Sequence, residues 1–510
     1  MPSKIRSFLL QGVEASTCEV ELDLDDAALA KETIVGLPDA AIRESIERVR
    51  AALANTGYLF PNGRLVINLA PAHIRKEGPL YDLPIAVALL QATGVIRGHK
   101  PDDAPPRLHR CMIAGELALD GRVRPIRGVI AMADLARHEG LDAVIVPAEN
   151  AAEAAVAGPV TYGVRTLAEV VGLLNGVLEI EPQSPPDLAS MLHAAPAPID
   201  FAEVRGQEAV KRAIVVAASG GHNVIMLGPA GTGKTMMARA LPGVLPPMSA
   251  AEAIEITRIH SAAGELPPGQ GLVSTRPVRT PHHTASAASI VGGGIVPRPG
   301  EVSLATHGIL FMDELPEFPR SVLETLRQPL EDHFVTISRS RGTVRFPANF
   351  LFVAAMNPAP GGSAGKSQAG QKAAERYRAR ISGPLLDRID IHVDAPAVPW
   401  KELSGTGGAS STSSAAMRER VLRARAVQAK RQGEGKLNGR LRGKELDVLA
   451  PMSEPARALL GQAIAELGLS ARAYDKVRRV ARTVADLEGA QGLDVHHVAE
   501  AVQYRLLDRG

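Results

Sequence analysis

The stretch Gly228-Pro229-Ala230-Gly231-Thr232-Gly233-Lys234-Thr235 constrains this chain more than any other. It fits the phosphate-loop pattern, Gly, four residues, Gly-Lys-Thr, without a mismatch. Asn223-Val224-Ile225-Met226-Leu227 before it reads as a buried strand, and Lys234 to Leu241 after it as a helix. A strand that turns through glycines into a helix belongs to an α/β sheet with parallel strands. Such glycines let backbone N–H groups curl round an anionic phosphate, and the helix N-terminus adds partial positive charge. In that geometry Lys234 reaches the β- and γ-phosphates and Thr235 places its hydroxyl on Mg²⁺, so ATP and Mg²⁺ are the expected cofactors. The bland reading, a glycine-rich turn that binds nothing, does not account for an eight-residue match between strand and helix.

A chain of 510 residues is too long for one core, and about three domains are expected. Its formal net charge is only +2, so affinity for nucleic acid has to come from local patches. Cys18 and Cys111 are its two cysteines, which suits a reducing compartment and excludes a Cys₄ zinc site. No apolar run approaches the roughly 18 residues of a membrane span. Phe8-Leu9-Leu10 is too short for the core of a secretion signal. A cytoplasmic protein without a membrane partner is the expectation. Aromatic residues make up 3%, which argues against holding single strands by base stacking.

Residues 1–178 read as an α+β domain. Val20 to Leu24 alternates as a half-exposed strand does, and Asp39 opens a helix through Ile42, Ile46, Val49 and Leu53. Arg64 to Leu69 and Ala143 to Pro147 read as strands, Leu83 to Leu90 and Ala131 to Arg137 as helices. Lys76-Glu77-Gly78-Pro79-Leu80-Tyr81-Asp82, and the run from Gly115 through Gly121-Arg122-Val123 to Pro125-Ile126-Arg127-Gly128, resemble the proteolytic domain of Lon-type proteases. Those enzymes use a serine activated by a lysine. Leu80 and Ile130 stand at the matching positions, and neither side chain offers a nucleophile or a base. The resemblance implies a Lon-like fold without its chemistry.

Residues 179–200 read as a Pro- and Ala-rich linker, and 201–400 as the nucleotide-binding core. Phe201 to Gln207 is similar to the segment that lies near the adenine in AAA+ ATPases. Ile309-Leu310-Phe311-Met312-Asp313-Glu314 reads as a buried parallel strand with acids at its C-terminal end, where open α/β sheets bind ligands. Asp313 there would hold Mg²⁺ and Glu314 would polarise the attacking water; the alternative is a helix-capping acidic pair. Between the two motifs, His282 and His283 are adjacent. They lack a carboxylate or cysteine at ligand spacing, which favours a loop over a metal site. Gly292 to Gly294 fits a mobile loop. Leu323 to Glu331 reads as a helix. His333 to Phe346 reads as a hairpin with Phe334–Ile337 and Thr343–Phe346 as arms and Ser338 to Gly342 as tip. Phe350 to Met356 is a further buried strand that ends in Asn357, placed to orient the hydrolytic water.

The order of phosphate loop, Thr280-Pro281-His282-His283-Thr284 insert, Asp-Glu strand, basic hairpin and Asn357-Pro358 resembles the magnesium-chelatase-like AAA+ group, and within it the ComM (YifB) family. The resemblance spans essentially the whole chain. It implies a bacterial DNA-handling ATPase, active in branch migration when incoming DNA is integrated in natural transformation, and a ring, taken as a homo-hexamer. Gly383 to Asp390 matches the family's arginine-finger segment, so Arg388 would enter a neighbouring subunit's ATP site; the plain alternative is a surface ion pair. Arg376, Arg378 and Arg380 are further candidates at that interface. Arg472 matches the lid arginine that contacts the γ-phosphate in the same or an adjacent subunit. Many relatives carry cysteines after Asn-Pro; this chain has Ala359-Pro360-Gly361-Gly362.

Residues 401–416 read as a flexible linker and 417–510 as a C-terminal helical lid, with helices over Ala456–Leu467, Val477–Leu487 and Val495–Leu507. The basic run from Met417 to Lys444 is either a solvated face or a DNA-facing one. The expected fold is thus α/β and multidomain: a Lon-like α+β domain, a parallel-sheet AAA+ core and a helical lid. The expected function is an ATP-driven DNA translocase on single-stranded or branched DNA. Arg339 and Arg341, one residue apart and so on one face of a strand, would grip the phosphate backbone. The alternative is a chelatase-type ATPase subunit that remodels a metal-inserting partner enzyme.

Overall fold

The computed structural model describes residues 2–97, 106–193, 199–294, 296–339, 342–359, 368–399, 412–468, 470–505 and 507. The chain forms two compact units, Met1–His193 with Ser249–Ser274, and Ala194–Met248 with Thr275–Gly510.

The first unit is built on a seven-stranded sheet. Its strands are β1 (Ser3–Gln11), β2 (Glu14–Asp25), β3 (Lys31–Val35), β4 (Arg64–Ala70), β5 (Cys111–Ile113), β8 (Ala143–Pro147) and β9 (Val160–Val164), in the order β3-β4-β2-β1-β5-β8-β9. β6 (Glu116–Leu117) and β7 (Val123–Arg124) form a separate short ribbon. β1, β2 and β4 pair antiparallel, while β1, β5, β8 and β9 run parallel. Side chains alternate between the two faces. Ile5, Leu9, Ile113 and Ile145 join one core, and Phe8, Met112, Val144 and Val146 the other.

The helix foreseen after Asp39 is present but jointed, as Ala40–Arg43 and Ser45–Asn55, with the Asp39 carboxylate capping the Ile42 N–H at 2.9 Å. Helix Asp82–Ala92 is buried from Asp82 to Leu90. The two stretches that carry the protease resemblance meet through backbone bonds. The Gly115 N–H donates to the Leu80 carbonyl, and the Leu83 N–H to the Gly115 carbonyl. Leu80 is half-buried in the turn Pro79–Tyr81, and Ile130 is wholly buried in helix Val129–His138.

Residues 249–274, within the span 201–400 expected to hold the nucleotide-binding core and an insert, pack with the first unit. Helix Ala250–Ala263 opens with a capping box between Ser249 and Glu252 and ends at Gly264. It buries Ala253, Ile256 and Ile259. The Ser261 hydroxyl accepts from the Gly128 N–H at 2.9 Å and donates to the carboxylate of Glu153. Burial raises the Glu153 pKa, against the pull of Ser261, the Ile130 N–H and Asn150. Arg258 reaches Asp134 at 2.8 Å. These polar partners are scattered over the sequence, so periodicity alone could not place the helix.

The second unit holds a five-stranded parallel sheet. Its strands are β10 (Val224–Leu227), β11 (Val278–Arg279), β14 (Ile309–Met312), β17 (Leu351–Met356) and β18 (Ile391–Asp394), in the order β11-β14-β17-β10-β18. Every pair is parallel, and β10, β14 and β17 are buried throughout, as apolar runs in a sheet covered on both faces are. Two ribbons stand apart from it. One is β12 (Gly292–Gly293) with β13 (Arg298–Pro299), the other β15 (Phe334–Arg339) with β16 (Gly342–Pro347).

The helix expected over Leu323–Glu331 is two, Arg320–Thr325 and Arg327–Asp332, joined at Leu326. The C-terminal helices are Ser414–Gln432, Gly443–Leu449, Glu454–Leu467, Ala471–Glu488 and Val495–Gln503. The first starts inside the expected linker, because Ser413 caps it through the Ala416 N–H. The last stops short of Leu507, because the Tyr504 carbonyl accepts the His392 N–H at 2.8 Å. Much of the basic run from 417 to 444 is tied down. Arg425 donates to the Ala218 carbonyl at 2.7 Å, Arg431 pairs with Asp486 at 2.5 Å, and Arg442 donates to the Glu331 carbonyl at 3.0 Å. No helix among the described residues is long and apolar enough to cross a membrane.

Candidate active site

Three adjacent parallel strands, β14, β17 and β10, end side by side. β10 runs into Gly228-Pro229-Ala230-Gly231-Thr232-Gly233 and then into helix Lys234–Ala240. The turn demands its glycines. A Cβ on Gly228 would lie 2.0 Å from the Ala395 carbonyl oxygen, and Gly231 and Gly233 have φ of 81° and 84°. The Lys234 ammonium folds back into this turn. It donates to the carbonyls of Gly228 at 2.7 Å and Pro229 at 2.8 Å, and to Asn357 Oδ1 at 3.3 Å. Burial pulls its pKa down, and the charges of Asp313 and Glu314 oppose that pull. Thr232 Oγ1 donates to the Pro229 carbonyl at 3.1 Å.

Asp313 and Glu314 follow β14 directly. Thr235 Oγ1 donates to Asp313 Oδ2 at 2.8 Å, and the Glu314 N–H to Asp313 Oδ1 at 3.0 Å. Glu314 is exposed and has φ of 49°. For a residue with a Cβ this conformation costs about 1–2 kcal/mol, and such strain gathers at functional sites. Asn357 follows β17. Lys234 thus bonds to Asn357 and its neighbour Thr235 bonds to Asp313, with Glu314 next in the chain. Gln207, at φ of 60°, donates to the carbonyls of Pro396 at 2.7 Å and Thr232 at 3.4 Å, which ties the segment before the strand to the loop.

Arg388 and Arg472 do not join this cluster within the chain. The Arg388 guanidinium donates to the carbonyls of Pro384 at 2.7 Å and Arg327 at 3.1 Å, and pairs with Glu331. Arg472 is mostly exposed, 3.8 Å from Asp387. Arg380 pairs with Glu317 at 2.9 Å, while Arg376 and Arg378 are exposed.

The glycine ribbon and the basic hairpin lie against each other. A Cβ on Gly292 would come within 3.0 Å of Ile337 Cδ1, and one on Gly293 within 3.5 Å of Arg339 Nη2. Arg339 is exposed, and so is Arg298 opposite Gly293. Nothing in the sequence pairs Arg298 with the hairpin. Arg341 lies outside the described residues, as do Pro360 to Gly362.

His282 and His283 stack at 4.1 Å, and His282 Nδ1 lies 2.9 Å from Thr284 Oγ1. Among the described residues, Glu488, His496 and His497 are the group close enough to share a cation. The Asp494 N–H donates to His497 Nδ1 at 2.9 Å. The neutral ring therefore carries its proton on Nε2, which faces Glu488 at 3.2 Å and offers no lone pair to a metal.

Family comparisons agree along the chain. Residues 200–403 match the family described as magnesium chelatase, subunit ChlI; residues 20–150 match subunit ChlI of Mg-chelatase, and residues 411–505 its C-terminal part. The competence protein ComM of Haemophilus influenzae is 41% identical over 508 residues, 98% of this chain and 96% of its own. The uncharacterized protein YifB of Escherichia coli is 40% identical over 504 residues, with the same coverage. The magnesium-chelatase 38 kDa subunit of Cereibacter sphaeroides is 27% identical over 183 residues, 32% of this chain and 54% of its own. Full-length identity at this level, on an α/β core with a parallel sheet and C-terminal helices, shows that the chain belongs to the ComM/YifB family of magnesium-chelatase-like AAA+ proteins, a grouping that implies ATPase activity.

Proposed function

We propose that this protein is a ring-forming motor, with a homo-hexamer as the expected ring, that hydrolyses ATP to move along DNA and migrate branches while incoming DNA is recombined. The observation that carries the reading is the cluster of Lys234, Thr235, Asp313 and Asn357 at the ends of three neighbouring strands. A hydroxyl and a carboxylate 2.8 Å apart are the hard oxygen donors that Mg²⁺ prefers, so Thr235 and Asp313 would hold it. Bound there, Mg²⁺ supplies charge neutralisation on the β- and γ-phosphate oxygens. The Lys234 ammonium turns from backbone carbonyls to the phosphates, Glu314 takes the proton of the attacking water, and Asn357 orients that water. Arg388 stabilises transition-state charge in a neighbouring subunit, and Arg472 senses the γ-phosphate.

The competence role comes from the printed name of the Haemophilus relative, which matches 98% of this chain. The chelatase subunits match 32–39% of it, which leaves the chelatase reading weaker. ATP hydrolysis measured with and without single-stranded, duplex and branched DNA tests the proposal. Branched or single-stranded DNA should raise the rate several-fold. Glu314→Gln should keep ATP bound and lower the rate by at least about 10²-fold. A rate indifferent to every DNA form refutes the DNA motor, and wild-type hydrolysis by Glu314→Gln refutes the assigned base.

A further inference from the structure

The peptide that carries Arg388 is held from both sides by groups that no motif announces. Three successive carbonyls are fixed. Asn223 Nδ2 donates to the Arg388 carbonyl at 2.9 Å. Lys476 Nζ and Arg505 Nη1 both donate to the Ile389 carbonyl, at 3.1 and 2.8 Å. Arg505 Nη1 also lies 3.4 Å from the Asp390 carbonyl. The Asp390 side chain completes the clamp. Its Oδ2 accepts the Asn223 N–H at 3.1 Å, and its Oδ1 lies 3.5 Å from Lys476 Nζ.

Lys476 is 6% exposed and Arg505 1%. Taking a cation out of water is costly unless its bonds are made. Two buried cations thus share one peptide oxygen just before β18 begins. The elements involved give the clamp a direction. Lys476 sits one turn after Arg472 on helix Ala471–Glu488, so both lie on one face. Along that face Arg472 meets Asp387 and Lys476 meets Ile389 and Asp390. On the other side Asn223 immediately precedes β10, whose far end is the phosphate loop, and its Oδ1 accepts the Phe352 N–H of β17 at 3.2 Å.

We propose that Lys476 and Arg505 are positioning residues for Arg388: Lys476 ties the peptide behind it to the lid helix that bears Arg472 and Arg505 ties it to the segment after the last helix, so that, with Asn223, they couple the placement of Arg388 to both the lid and the phosphate-loop strand of its own subunit. The inference rests on Arg388 completing a neighbour's site.

Complementation in mixed rings tests it. Lys234→Ala subunits have a dead phosphate loop and an intact Arg388. Lys476→Met subunits have an intact phosphate loop and, on this proposal, a misplaced Arg388. Each variant alone should hydrolyse ATP at least about tenfold more slowly than wild type, and Lys476→Met should keep its nucleotide affinity within about twofold. Mixed, they should regain activity well above the sum of the two, as Arg388→Ala mixed with Lys234→Ala should. If the Arg388→Ala mixture regains nothing, the reading of Arg388 fails and this inference with it. If that mixture recovers and the Lys476→Met mixture does not, Lys476 serves its own site and the inference alone is overturned. Should Lys476→Met fail to fold or assemble, Arg505→Lys goes through the same mixing, with the same two outcomes deciding.

Discussion

His222 is wholly buried, with Nε2 2.7 Å from Thr483 Oγ1 and Nδ1 3.9 Å from Asp390. Burial pushes its pKa down to about 4, against the attraction of Asp390. In the unfolded chain the imidazole titrates near 6.5, so between these values the unfolded state binds more protons. The stability that His222 contributes is therefore complete above pH 6.5 and is lost as pH falls through 4, a change of about 3 kcal/mol. Thermal unfolding followed from pH 7 to pH 4 should show wild type losing more stability than His222→Asn. Equal slopes would show that the buried ring is not the titrating group. The same seam shows what was legible residue by residue. Lys234, Thr235, Asp313 and Asn357 stand out in the sequence because Asp313 and Asn357 directly follow apolar strands and Lys234 and Thr235 close a glycine-rich turn after one, and the structure brings the four together. Lys476 and Arg505 could not, because a buried cation looks like a surface one until its distant carbonyl is known. Helical spacing weighs only apolar positions, and so it passes over both.

At the scale of elements, β15–β16 and β12–β13 form one composite basic edge. The Arg339 guanidinium lies beside Gly293, where a Cβ would meet it at an ordinary contact of 3.5 Å, and Arg298 stands opposite that glycine. Arg345 stacks over the Phe334 ring at 3.3 Å, which stiffens the base of the hairpin. A motor indifferent to sequence has to hold phosphates, and each lost phosphate contact removes about 0.9 from the slope of log affinity against log salt on duplex DNA. Arg298→Ala combined with Arg339→Ala should flatten that slope by about 2 and abolish stimulation by DNA. An unchanged slope would show that the edge is no grip. Arg341 completes the expected tip and is tested by the same titration. The hairpin arms were legible because β-branched and aromatic residues alternate on each side of a polar turn. The contact with the glycine ribbon was not, since it joins stretches distant in sequence that share no periodicity.

At the scale of the molecule, the chain crosses between its two compact units at His193–Ala194, again at Met248–Ser249, and a third time at Ser274–Thr275. The parallel core, the lid helices and the alternating strands of the first unit were all legible from apolar patterning. The threading was not, because helix Ala250–Ala263 has ordinary composition and its anchors, Gly128, Asp134 and Glu153, come from a distant part of the chain. A protease that cuts only between Glu181 and Ile199 should yield two fragments that still elute together from a sizing column under native conditions. Separation after that single cut would contradict the threading. A chain begun at residue 200 should be poorly soluble, because Ala253, Ile256 and Ile259 would face water. Inheritance is constrained in the same way. A recombination event that joined a foreign N-terminal half to this ATPase would bring in a unit whose own helix had been left behind in the middle of the donor chain, and the grafted half would have to accept this chain's residues 249–274 in its place.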